Sequence, residues 1–236
     1  MILRRVIEHV KTQNWTAVAL DFVIVVVGVF IGIQLGNWNE QRAEHARAME
    51  LRERLAEDFG AIAEATETSV SRVEFFTDAA EEVYAVLIAG EHPDDEEAFG
   101  RLINVAGSSH PSTGASPTFA EMLSTGDLGL IKNDSLRTAL VEYHQLAAQN
   151  EKIWQSFLPL LFEQLHALDD YVVWSEVNPQ SGFPEIEDYD FDALTGQARI
   201  FRRMARLNSN LMQLYSLQRE LADAVLLELQ ANKEGE

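Results

Sequence analysis

Thr16 to Asn37 reads TAVALDFVIVVVGVFIGIQLGN, and this run constrains the chain more than any other. Twenty-two mostly apolar residues at a rise of about 1.5 Å each cover the ~30 Å hydrocarbon layer of a bilayer. Asp21 is its one ionisable residue, and Phe22 to Gly36 carries no charge. Trp15 and Trp38 bracket the run, where amphipathic rings settle at the two membrane–water interfaces. A buried helix of a soluble core rarely combines that length with paired flanking tryptophans. The basic front and apolar middle also suit a signal peptide. The apolar part is too long for one, however, and Gln34-Leu35-Gly36-Asn37 makes a poor cleavage site. Ala46-Arg47-Ala48 has the small-x-small form but lies well past the apolar part. The expectation is an uncleaved signal anchor, a transmembrane helix over residues 15–38.

Before the span, Ile2, Leu3, Val6, Ile7 and Val10 fall on one helical face, with Arg4, Arg5, Glu8 and Lys11 elsewhere. Residues 1–14 therefore read as an amphipathic interfacial helix, with Arg4, Arg5, Lys11, Trp15 and Trp38 as interface anchors. Basic residues near the two ends of the span are similar in number, so the positive-inside rule barely discriminates. The net basic tail against an acidic bulk favours a cytoplasmic N-terminus and a periplasmic remainder.

Gly28, Gly32 and Gly36 recur every fourth residue inside the span, a doubled small-xxx-small pattern. At 100° per residue, Val25 and Asp21 share their face. Glycines there let helix backbones approach closely, and an acid on the same face stays out of lipid. Asp21, Val25, Gly28, Gly32 and Gly36 are the expected packing face of a homo-oligomer or of a contact with a membrane-protein partner. Glycine is also common in membrane helices for no such reason, and that alternative stays open.

The run from Asp21 to Gln34, ending in Asn37-Trp38-Asn39-Glu40, resembles the opening of a bacterial family catalogued as a domain of unknown function. The stretch Glu121 to Leu128, with Leu130 to Asn133 and Leu136-Arg137, is similar to the same family. The resemblance implies a bacterial membrane location, one span and a helical remainder. It implies no activity, cofactor or catalytic residue.

Beyond the span the chain is strongly acidic. Thirty-eight Asp and Glu against 18 Lys and Arg give a formal charge of −20, and a domain so charged repels phosphate backbones, which disfavours nucleic acid as a partner. The absence of cysteine excludes disulfides and thiolate metal sites. Leu51, Leu55, Phe59, Ile62, Val70, Val73, Phe76, Ala80, Val83 and Leu87 follow helical spacing. They predict one long helix out of the membrane, with a weak point at Thr66, Thr68, Ser69 and Ser71 and a stop at Gly90 to Pro93. A short helix capped by Asp94 or Asp95 follows, then a polar loop over Gly107 to Pro117 and a helical turn ending at Gly126. A long helix from Asn133 or Asp134 carries Pro159 as a kink. Tyr171 to Phe191 reads as a connection with Trp174, Phe183 and Tyr189 among acids, and a last helix runs from about Leu194 to Ala231. The fold class expected for residues 39–236 is all-α, an elongated antiparallel bundle.

Candidate chemistry is sparse. Glu163 and His166 have the Glu-x-x-His spacing of a carboxylate-bridged di-metal bundle but lack a second copy, so no metal is expected. Ser108, Ser109 and His110 share a loop without a nucleophile elbow or oxyanion loop, so they read as loop residues and no enzyme is expected. Arg199, Arg202, Arg203 and Arg206 cluster early in the last helix, for pairing with acids at 185–192 or in the first helix. Alternating helix directions would turn that end toward the bilayer, where contact with lipid phosphate or an acidic partner is the other reading. The expected function is a membrane-anchored, self-associating or partner-binding scaffold without cofactors. The alternative is a proton-conducting, stator-like or transport-energising subunit using Asp21, since single-span partners of ion-driven motors carry a similar lone aspartate.

Overall fold

The computed structural model describes residues 15–177 and 185–231. Six α-helices account for most of them: α1 (Trp15–Ala89), α2 (Glu96–Ala106), α3 (Pro117–Thr125), α4 (Asp134–His166), α5 (Phe191–Thr195) and α6 (Arg199–Ala231). Two short strands, β1 (Val172–Trp174) and β2 (Ile186–Tyr189), lie between α4 and α5. The all-α expectation holds. The chain divides into two units at the Glu50/Leu51 junction, the first holding the apolar stretch of α1 and the second the packed helices. The amphipathic segment 1–14, with Arg4, Arg5 and Lys11, lies outside the described residues, as do the side chains of Trp15 and Asp21, whose backbone is helical.

The weak point expected at Thr66 to Ser71 is not a break. Thr66 Oγ1 donates to the Ile62 carbonyl at 2.7 Å, Thr68 to that of Glu64 at 3.1 Å and Ser69 to that of Ala65 at 3.0 Å. Hydroxyls bonded back one turn do not compete for the helix's own amides, and Thr66, Ser69 and Thr77 are buried, so tertiary packing overrides propensity. The helix stops where expected, at Gly90 (φ +68), whose amide donates to the Val86 carbonyl ahead of Pro93.

Within the second unit, three apolar clusters are stacked along α1. Leu51 to Ala63 packs with Phe119, with Leu136 to Ala147 and with Ala222 to Leu229. Val73 packs with Phe157, Leu161, Leu211 and Tyr215. Ala79 to Leu87 packs with α2, Leu168, α5 and Ile200 to Ala205. Hence α4 runs parallel to α1, and α6 runs antiparallel to both. This corrects the expected simple alternation, because α2, α3 and the loop between them make the return journey from the end of α1 to the start of α4.

That loop is a strap laid against the bundle. Asn208 Nδ2 donates to the Ser108 carbonyl at 3.0 Å, Tyr215 to that of His110 at 3.0 Å, Gln218 Nε2 to that of Thr113 at 2.7 Å and Tyr143 to that of Gly114 at 3.0 Å. At its end, Asp58 Oδ2 accepts from Ser116 Oγ at 2.6 Å and from the Thr118 amide at 2.9 Å, while Ser116 caps α3 through the Phe119 amide. Extended backbone against a helical core needs partners for its carbonyls, and buried polar side chains of α4 and α6 supply them.

Two further boundaries differ from expectation. Val172 pairs with Tyr189 and Val173 with Asp188 in an antiparallel ribbon, where a plain connection was expected. The last helix is divided: Asp190 caps the one-turn α5, and a turn at Gly196 to Ala198 separates it from α6. Asn133 caps α4 through the Leu136 amide, Asp95 caps α2, and Gly126 takes the left-handed conformation (φ +83) after α3, all as read from the residues.

Candidate functional site

In the first unit the helix carries its apolar side chains outward on every face. Phe22 is 68% exposed, Val25 63% and Phe30 65%, and eleven Val, Ile, Leu and Phe lie between Phe22 and Leu35. At ~0.3–0.6 kcal/mol favourable for each such residue in a membrane helix, these eleven contribute roughly 3–7 kcal/mol toward insertion. This is the one helix among the described residues that is long and apolar enough to cross a membrane. Trp38 is 61% exposed, with the Arg42 guanidinium 5.9 Å from its ring centroid. A Cβ added at Gly28, Gly32 or Gly36 would meet nothing within 4 Å, so no contact among the described residues explains those glycines.

In the second unit, Arg199, Arg202, Arg203 and Arg206 are exposed on one face of the first turns of α6. With Glu81 and Tyr84 of α1 they line an open groove of about 790 Å³. Arg202 lies 5.5 Å from the Tyr84 ring centroid and its Nη1 donates to the Tyr84 hydroxyl at 3.4 Å. The expected pairing with acids is not what holds them: among the described residues none of the four makes an ion pair, whereas Arg47, Arg54, Arg101, Arg137 and Arg219 each do. The first turn of α6 also contains no acid, so the guanidinia add to the positive end of the helix dipole instead of compensating it. The groove sits beside Ala79 to Leu87, at the end of the bundle opposite Leu51. Tyr84 and Glu81 were invisible as groove residues because nothing in their local spacing distinguishes them from other exposed positions of α1.

The other candidates resolve into structure. Ser109 Oγ donates to Asn208 Oδ1 at 2.7 Å and Ser108 Oγ to the Asn104 carbonyl at 3.1 Å, both fastening the strap. Burial lowers the pKa of His110 below its usual range, and the positive charge of Arg72 lowers it further. His166 is exposed, its Nδ1 2.7 Å from the Phe162 carbonyl, and among the described residues no three His, Asp or Glu gather as a metal site.

Three residues that the apolar stripe passed over are among the most buried polar groups of the core. Asn150 Nδ2 donates to Gln218 Oε1 at 2.8 Å, and Gln218 Nε2 also donates to the Tyr143 hydroxyl at 3.0 Å. Asn208 and Gln218 are fully inaccessible. The signal was present: Met204, Asn208, Leu211, Tyr215, Gln218, Ala222, Val225 and Leu229 alternate spacings of four and three, a heptad seam that includes polar members. No family model, curated protein or solved structure matches this chain.

Proposed function

We propose that this chain is a single-span protein of the bacterial cytoplasmic membrane, with its N-terminus in the cytoplasm and its helical bundle in the periplasm. In this reading it is a non-enzymatic scaffold that associates with itself, or with a membrane-protein partner, through the face carrying Gly28, Gly32 and Gly36. One observation carries it: at three glycines in register on an outward apolar helix, an added Cβ would meet nothing within 4 Å among the described residues. Backbone-to-backbone approach by another helix is the use that membrane packing makes of such a face. The family resemblance supports the bacterial setting, and the net basic tail supports the orientation.

Because the chain contains no cysteine, Asn39→Cys installs a single thiol next to the span. Oxidation in native membranes should yield a disulfide-linked dimer. Gly32→Ile should weaken that dimer, and Val29→Ile, on another face, should not. The same thiol should react with a membrane-impermeant reagent in intact cells whose outer membrane has been made permeable. A product unaffected by Gly32→Ile refutes the packing face, and a thiol shielded from the reagent reverses the orientation.

A further inference from the structure

The arginine groove carries an inference about the second unit. Four guanidinia lie within eight residues of a chain whose acids outnumber its bases by twenty, and none is neutralised by a contact within the described residues. Their placement on the positive end of α6 costs stability, since cations there oppose the helix dipole. The feature is thus explained by what it can bind and not by what it holds together. The groove is open, and its cationic groups are all exposed side chains. It lacks the enclosed, buried donors that would grip one small oxyanion. From Arg199 to Arg206 the helix rises about 10 Å, which suits a row of carboxylates along an extended segment.

Such a segment exists on this chain. Glu187 and Asp188 on β2, the α5 cap Asp190 and Asp192 within α5, and Glu96 and Glu97 on α2 line a second open groove of about 770 Å³. Arg101 is the arginine within it, and that side chain is taken by Glu97 at 2.6 Å. Glu187 to Asp190 in extended backbone span about 10 Å, matching the rise of the arginine row. The negative field there is also felt by Tyr189: burial raises its hydroxyl pKa, and Glu96, Asp188 and Asp95 raise it further. Both grooves flank the same apolar cluster, at the end of the bundle opposite Leu51.

We propose that the arginine groove of α6 receives the acidic β2–α5 segment of a second copy of this chain. The proposal deepens the self-association reading, on which it rests, because a shared membrane anchor supplies the effective concentration that a screened, charge-driven contact needs. Arginine forks then find the carboxylates that their own chain does not bring to them.

The test uses the full-length chain in native membranes. One tagged copy carries Ser209→Cys, in the arginine groove, and a differently tagged copy carries Asp188→Cys. Oxidation should link the two more strongly than it links Ser209→Cys with Glu57→Cys, a control at the Leu51 end. Arg203→Glu with Arg206→Glu, which spares the Arg202–Tyr84 contact, should reduce the link to the control level. Glu96→Arg with Glu187→Arg on the other copy should restore it. A link no stronger than the control, or one indifferent to Arg203→Glu/Arg206→Glu, overturns the proposal. So does an absent link combined with a rise in melting temperature on adding pyrophosphate that Arg203→Glu/Arg206→Glu abolishes, since that groove would bind a soluble anion instead. The Asn39→Cys dimer is scored in parallel. Its persistence without the groove link sinks the groove contact alone, and its absence sinks the anchor reading.

Discussion

Gln218 is the residue whose loss should reveal what the strap contributes to the bundle. It is fully inaccessible, accepts from Asn150 Nδ2 at 2.8 Å, and donates to the Thr113 carbonyl at 2.7 Å and the Tyr143 hydroxyl at 3.0 Å. Gln218→Leu keeps the side-chain volume and removes all three bonds. Tyr143 still donates to the Gly114 carbonyl and Asn150 Nδ2 keeps a long bond to the Leu214 carbonyl at 3.5 Å, so the group stranded outright is the Thr113 carbonyl. Among the described residues Asn150 Oδ1 has no hydrogen-bond partner, so that side chain is left with the one long bond. At about 1–3 kcal/mol for the stranded carbonyl and a similar amount for the weakened Asn150 amide, less the gain from burying a leucine, the net cost is about 1–3 kcal/mol. For a domain of this size that corresponds to a fall of roughly 2–12 °C in Tm. Thermal unfolding of residues 40–236, followed by circular dichroism, measures it, with exposed Gln213→Leu as the control expected to shift little. Asn150→Leu added to Gln218→Leu should cost less than the sum of the two, because the pair then leaves together. A fall in Tm no larger than that of Gln213→Leu would refute the claim that buried side chains hold the strap.

The remaining expectations concern pH. Burial raises the hydroxyl pKa values of Tyr143 and Tyr215, the latter also through Glu151, so the folded state keeps protons that the unfolded state releases above about pH 10. Stability should therefore be intact below pH 10 and fall as pH rises beyond it, and Tyr215→Phe, although less stable at neutral pH, should show a shallower alkaline decline in denaturant titrations. His110 has the opposite sign: its folded pKa is depressed, so its contribution is complete above pH 6.5 and is lost as pH falls through the lower folded value. His110→Phe should flatten the acid limb of the same titration, and an unchanged limb would show that other groups govern it.

Where local chemistry decides structure, the residues could be read directly. The long apolar helix, the stop at Gly90, the caps, narrowed to Asp94 or Asp95 and to Asn133 or Asp134, and the left-handed Gly126 each depend on a few adjacent residues with one physical use. The buried stripe of α1 was legible for the same reason, since Leu51, Leu55, Phe59, Val73, Val83 and Leu87 are apolar and evenly spaced. Helix direction was not, because it depends on a loop whose sequence shows polarity and no destination. Gly107 to Ser116 looks solvated until Asn208, Tyr215 and Gln218, about a hundred residues later, are known to meet it. The arginine cluster was visible as a cluster, but its neighbours Glu81 and Tyr84 depend on that direction and were not. The β1–β2 ribbon escaped notice because three- and four-residue strands carry too little alternation to stand out among acids.

The strap also bears on the order in which the chain becomes a protein. Its carbonyls are made early, between α2 and α3, yet three of their partners belong to α6, which is made after the other five helices. Until Asn208, Tyr215 and Gln218 arrive, α1 and α4 have no finished seam to close on, and the segment from Gly107 to Ser116 is open to proteases. Contacts between residues so far apart in the chain are slow to form, because loop closure must precede any reward. A chain arrested before α6 should be degraded without accumulating as a shortened bundle, so synthesis of α6 acts as the checkpoint for closing the bundle.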